Sequence, residues 1–158
     1  KGLLGAGRGG ATALHEAARC GQPGAAAWLL QQRADARRRD SAGSEPIHVA
    51  AFHGHASIVQ QLLEASAGTD AGDAKGSAPL LHAAFSGHAA VARVLLQRRA
   101  SPSVRDVLQM SPLHHVALRG HAPLVARLLA SRAELAAVDC EGRAPLHLAA
   151  HGYEDHED

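Results

Sequence analysis

Twelve histidines, two cysteines and sixteen Lys/Arg side chains are the groups in this 158-residue chain that could do chemistry. Histidine near neutral pH is an acid–base catalyst or a metal ligand. The tightest grouping is His53-Gly54-His55, but no Cys or carboxylate stands beside it at a spacing that completes a zinc site. No nucleophile elbow, phosphate-cradling glycine loop, paired-acid motif or HExxH occurs. The chain is expected to be non-enzymatic, with no cofactor and no bound metal. Cys20 and Cys140 form no CxxC and no disulfide framework, which fits a reducing compartment and an intracellular, cytoplasmic or nuclear, location. No apolar run approaches membrane-spanning length, so no membrane partner is expected.

Basic charge is the other candidate chemistry. Residues 1–39 carry a net +5, including Arg37-Arg38-Arg39, and the remainder carries −4. Arg98, Arg99, Arg105 and Arg132 continue the basic pattern. Such runs dock an acidic protein or a polyanion such as nucleic acid, or simply solvate an Ala-rich surface. Only 3% of residues are aromatic, and none interleaves with the arginines for base stacking, which argues against nucleic acid. The tail, "EDHED", is acidic and reads as solvated.

The elements that must carry these groups follow from a period of 33. Asp40, Asp73, Asp106 and Asp139 keep that step, as do Gly21, Gly54, Gly87 and Gly120. Leu29-Leu30, Leu62-Leu63, Leu95-Leu96 and Leu128-Leu129 follow it too, and His15, His48, His114 and His147 stand in phase with it. Each unit predicts a helix opened by an N-cap such as Thr12 or Ser111, or by Pro46, Pro79, Pro112 or Pro145 at the first helical position. Gly ends that helix, and a second follows with apolar residues at i, i+1, i+4 and i+5, as in Ile58, Val59, Leu62 and Leu63. One helix pair cannot bury such a stripe, whereas stacked copies can, so the chain predicts an all-α solenoid. Four unit steps at helix-packing distances place Cys20 and Cys140 too far apart to bridge.

"TALHEAARCG", "EPIHVAAFHGH", "SPLHHVALRGH" and "APLHLAA" resemble the Thr-Pro-Leu-His-x-Ala-Ala-x-x-Gly-His signature of ankyrin repeats. The resemblance covers residues 7 to about 152 and implies a single array with repeats 7–39, 40–72, 73–105, 106–138 and a partial 139–152, followed by the tail 153–158. It implies antiparallel helix pairs joined by projecting β-turn fingers, with a concave face made of fingers and first helices. The histidines at 15, 48, 114 and 147 then tie fingers to helices, and His55, His88 and His121 open second helices. Two departures stand out. Arg33, Ser66, Arg99 and Arg132 replace the family's glycine after the second helix, and the fifth unit stops before its second helix. Either the array continues past residue 158 or the acidic tail caps it, and the flank of the fourth unit is expected to lack its usual cover.

By the same resemblance the exposed slots of the fourth unit are Arg105, Val107, Leu108, Met110, Leu118 and Arg119. Equivalent slots elsewhere hold Arg39, Phe52 and Phe85, with small or polar residues on the fingers. Phe52, Phe85 and Leu118 form one ladder, which Val107, Leu108 and Met110 extend. Gln109 replaces the finger glycine, so that turn is either strained or remodelled. Contiguous exposed apolar residues rimmed by arginine mark an interaction site. The expected function is a protein–protein interaction module that binds a protein or peptide, with Arg39 and Arg105 steering an acidic flank. Alternatives are a substrate-receptor or scaffold segment of a signalling or ubiquitin-ligase adaptor, an architectural spacer whose apolar finger packs internally, and a polyanion binder.

Overall fold

The computed structural model describes residues 8–152, in which nine α-helices follow a short 3-10 turn at Arg8–Gly10. First helices are α1 (Ala13–Cys20), α3 (Pro46–His53), α5 (Pro79–Ser86), α7 (Pro112–Arg119) and α9 (Pro145–Gly152). Second helices are α2 (Pro23–Gln31), α4 (Ala56–Glu64), α6 (Ala89–Gln97) and α8 (Ala122–Ala130). Each first helix packs on the next first helix and on its own second helix, and α2, α4, α6 and α8 stack in the same way. The architecture is an all-α repeat solenoid. The acidic tail and the first seven residues lie outside the described residues.

The helices begin and end where the local chemistry requires. Thr12 and Ser111 are N-caps in extended conformation, and Pro46, Pro79 and Pro112 take first-turn positions, where a missing N–H costs nothing. Gly21, Gly54, Gly87 and Gly120 close α1, α3, α5 and α7 in the left-handed region. Arg33, Ser66, Arg99 and Arg132 follow the second helices with φ of 62°, 68°, 65° and 64°. These departures therefore keep the left-handed backbone and bear its strain.

The core runs the length of the stack. Ile58, Val59, Leu62, Val91, Leu95, Leu124 and Leu128 from second helices meet Leu14, Ile47, Leu80 and Leu113 from first helices, all fully or almost fully buried. Ala50, Ala51, Ala83 and Ala84 are fully buried and let first helices approach closely. The stripe ends unevenly: Leu30, Leu63 and Leu96 are partly buried, whereas Leu129 is exposed. Beside it an apolar groove of about 280 Å³ opens between α7, α8 and α9, lined by Leu113, Val116, Val125, Leu135, Leu146 and Ala149 among others.

Candidate finger and first-helix face

Each finger is built by one aspartate. Asp40 Oδ1 accepts the backbone N–H groups of Ala42 and Ser44, and Asp73, Asp106 and Asp139 repeat this at the same two positions. This is the physical meaning of the aspartate period: a short carboxylate folds its own backbone into a turn. Neighbouring fingers are linked through backbone, with Ser41 N–H donating to Gly9, Ala74 to Ala42, Val107 to Lys75 and Cys140 to Leu108. Gln109 adopts φ 59° and donates to Asp106 C=O at 2.9 Å, just as Gly43 donates to Asp40. The fourth turn is strained, not remodelled.

The histidines are structural fasteners. In α1 and α7 the Nδ1 of His15 and His114 accepts the N-cap backbone N–H, at 3.1 Å in each case. Their Nε2–H groups donate across to the carbonyls of Ser44 and Arg143 in the next finger, both at 2.9 Å. His48 uses the same tautomer and reaches Ala71. Burial pushes the pKa of His48 below the ordinary histidine value, although its hydrogen bonds oppose this. His55, His88 and His121 seat their rings over Gly21, Gly54 and Gly87 of the preceding unit, where a side chain would collide. Among the described residues no three His, Cys, Asp or Glu side chains are arranged to hold a metal ion. Cys20 and Cys140 are exposed free thiols.

The third unit breaks the histidine pattern. Leu81, buried, stands in the slot of His48 and His114, while His82 beside it donates from Nε2 to Asp73 Oδ2 at 2.9 Å. His115 makes the equivalent bond to Asp106 at 3.1 Å. The carbonyl that a histidine at position 81 would reach by the repeat relation is that of Met110. An apolar residue therefore stands on each side of the α5-to-fourth-finger junction, where the first and fourth units use a hydrogen bond.

Two expectations about exposure are corrected accordingly. Met110 is only 7% exposed and belongs to the interior, because the fifth finger position leads back into α7 and its N–H is bound to Asp106. A flexible thioether fills that slot well. Arg105 is partly buried: its guanidinium donates to the Val138 carbonyl at 2.9 Å and to Glu134 at 3.3 Å. A cation expected to face a partner thus ties the end of the third unit to the end of the fourth. Arg37 does the same between the first and second units, donating to Ser66 C=O at 2.7 Å. Arg39 keeps its head group half exposed, 3.6 Å from the buried Glu45.

The remaining apolar face residues are each exposed. Val107 and Leu108 are 64% and 53% exposed at the tip of the fourth finger, with Val107 leaning over Gly76 of the third. Phe52 and Phe85 stack with ring centroids 6.3 Å apart and planes 18° from parallel, and Leu118 is exposed one unit further along. The guanidinium of Arg119 lies over the Phe85 ring, 4.4 Å from its centroid. His82 and His115 meet the edges of Phe52 and Phe85 respectively. That His–Phe–Arg arrangement was missed along the chain, because its members are about 30 residues apart.

No individual curated protein matches the chain. The sequence profile of the family described as ankyrin repeats (3 copies) matches residues 14–106 and 101–156. The profile and the stacked helix pairs agree, and the chain belongs to the ankyrin repeat family, whose arrays are typically non-enzymatic and generally serve as protein–protein interaction modules.

Proposed function

We propose that this chain binds a partner protein or peptide on the concave face made by its fingers and first helices, across the second to fourth units and mainly on the third and fourth. One observation carries the reading. The stacked Phe52–Phe85 pair, the chain's two phenylalanines, is left exposed, with Leu118, Val107 and Leu108 exposed on the unit that follows. Contiguous apolar surface of this kind is costly in water and is covered when a partner docks. Flat, open geometry suits an extended or helical segment, and it offers no enclosed, water-excluding cleft of the kind catalysis needs.

The reading is tested by selecting displayed random peptides on the whole chain and measuring their affinity for Leu108→Asp and Phe85→Ser variants that melt like the parent. Loss of binding in both variants supports this face. Unchanged affinity in both variants moves the site elsewhere. A spacer yields no peptide at all.

A further inference from the structure

Most charges around this face are already committed. Asp73, Asp106 and Asp139 each have Oδ1 on two backbone N–H groups and Oδ2 on His82, His115 or Arg143. Glu141 lies 3.0 Å from Arg143. Arg105 is held by Val138 and Glu134, as above. Arg119 differs from all of these. It ends α7, is exposed, and has its guanidinium carbon over the Phe85 ring, while among the described residues no acceptor takes a hydrogen bond from it. A guanidinium held over an aromatic ring still has N–H groups to offer, and these can grip a carboxylate through two parallel bonds. Lys75, exposed at the tip of the third finger, adds a second uncommitted cation. Arg119 and Lys75 therefore set cationic N–H groups beside the apolar patch that no described residue uses.

We propose that the segment bound here is acidic as well as apolar: an Asp or Glu side chain docks on the edge of Arg119, and an aliphatic side chain of the same segment covers Leu108. This rests on the binding reading above and names the chemistry of its ligand. The spacing follows from α7. Its eight residues, Pro112–Arg119, separate the finger base from Arg119 by about 12 Å. An extended peptide advances about 3.3 Å per residue, so the acidic and aliphatic positions are about four or more residues apart. Leu118 and the Phe52–Phe85 stack supply the apolar floor around the carboxylate, where lower local polarity strengthens the charged contact.

The test uses random dodecapeptides displayed on phage, selected on the whole chain, then resynthesised and titrated by fluorescence anisotropy. Selected peptides should share an Asp or Glu. Converting it to Asn or Gln should weaken binding to the parent chain by about tenfold or more and leave binding to Arg119→Gln nearly unchanged. Arg119→Lys should retain part of the acidic preference, and Arg119→Glu should reverse it towards Lys-containing peptides. The proposal is overturned, with the binding reading intact, by peptides that are lost on Leu108→Asp but carry no acid, or whose acid matters equally to Arg119→Gln. Recovery of no peptide, or of peptides indifferent to Leu108→Asp and Phe85→Ser, overturns the binding reading and this proposal together.

Discussion

Asp73 and His82, nine residues apart, are joined by a 2.9 Å hydrogen bond that locks the third finger to the first helix behind it, and Asp106 and His115 repeat the arrangement one unit later. In each case Nε2–H donates, so the neutral ring leaves Nδ1 bare. For His115 that Nδ1 is buried with no partner, so a proton placed there would be an unsatisfied buried donor.

Acid should therefore loosen the array before it reaches the carboxylate range. Burial holds His48 and His115 below the ordinary histidine value of 6.5. The unfolded chain takes up protons first as pH falls through 6.5, and stability declines from there downward. Asp73 and Asp139 are pulled up by burial, but their hydrogen bonds outweigh this and hold them below 3.8. Their contribution is present above 3.8 and is lost as pH falls through their lower folded values. Thermal melts from pH 7.5 to 5.0 should show a falling Tm, and a flat profile over that window would contradict this account.

Gln109→Gly should stabilise the chain by roughly 0.5–1 kcal/mol. Relief of left-handed strain exceeds the entropy that glycine adds to the unfolded state. The other described fingers carry Gly43, Gly76 and Gly142 at this position with φ of 70°, 70° and 74°. Urea midpoints at constant slope are the measurement, and a loss of stability would show that the Gln109 side chain makes a compensating contact.

Met110 and Leu108, two residues apart on one finger, should respond oppositely. Met110→Ala should cost about 2 kcal/mol or more, as truncation of a buried side chain does. Leu108→Ala should stay within about 0.5 kcal/mol, because its side chain is already largely in water. Denaturant unfolding of the two variants separates a packing residue from a surface one.

Gly54→Ala should cost roughly 1 kcal/mol more than Gly120→Ala. Both glycines are left-handed, but a methyl at Gly54 falls 2.7 Å from the His88 ring, whereas one at Gly120 meets nothing within 4 Å. A double-mutant cycle with His88→Ala should remove most of that excess. Equal costs would mean the ring swings aside freely despite its 3.0 Å bond to the Phe52 carbonyl.

Much of the fold was legible along the chain because its causes are local. Proline limits φ at a helix start, glycine permits the left-handed helix end, an aspartate folds the turn that follows it, and apolar spacing marks the buried stripe. A 33-residue period then dictates that copies stack, since no unit buries its own stripe. The composition of the face was legible only in part, because a slot's direction depends on what the neighbouring unit presents. Val107 and Leu108 point outward and Met110 inward on the same turn. Arg105 is spent on the Val138 carbonyl, 33 residues away, and Arg119 rests on Phe85, 34 residues away. Those contacts exist only once the units are stacked, and it is stacking that divides these arginines into one that ties neighbouring units together and one whose hydrogen bonds no described residue takes.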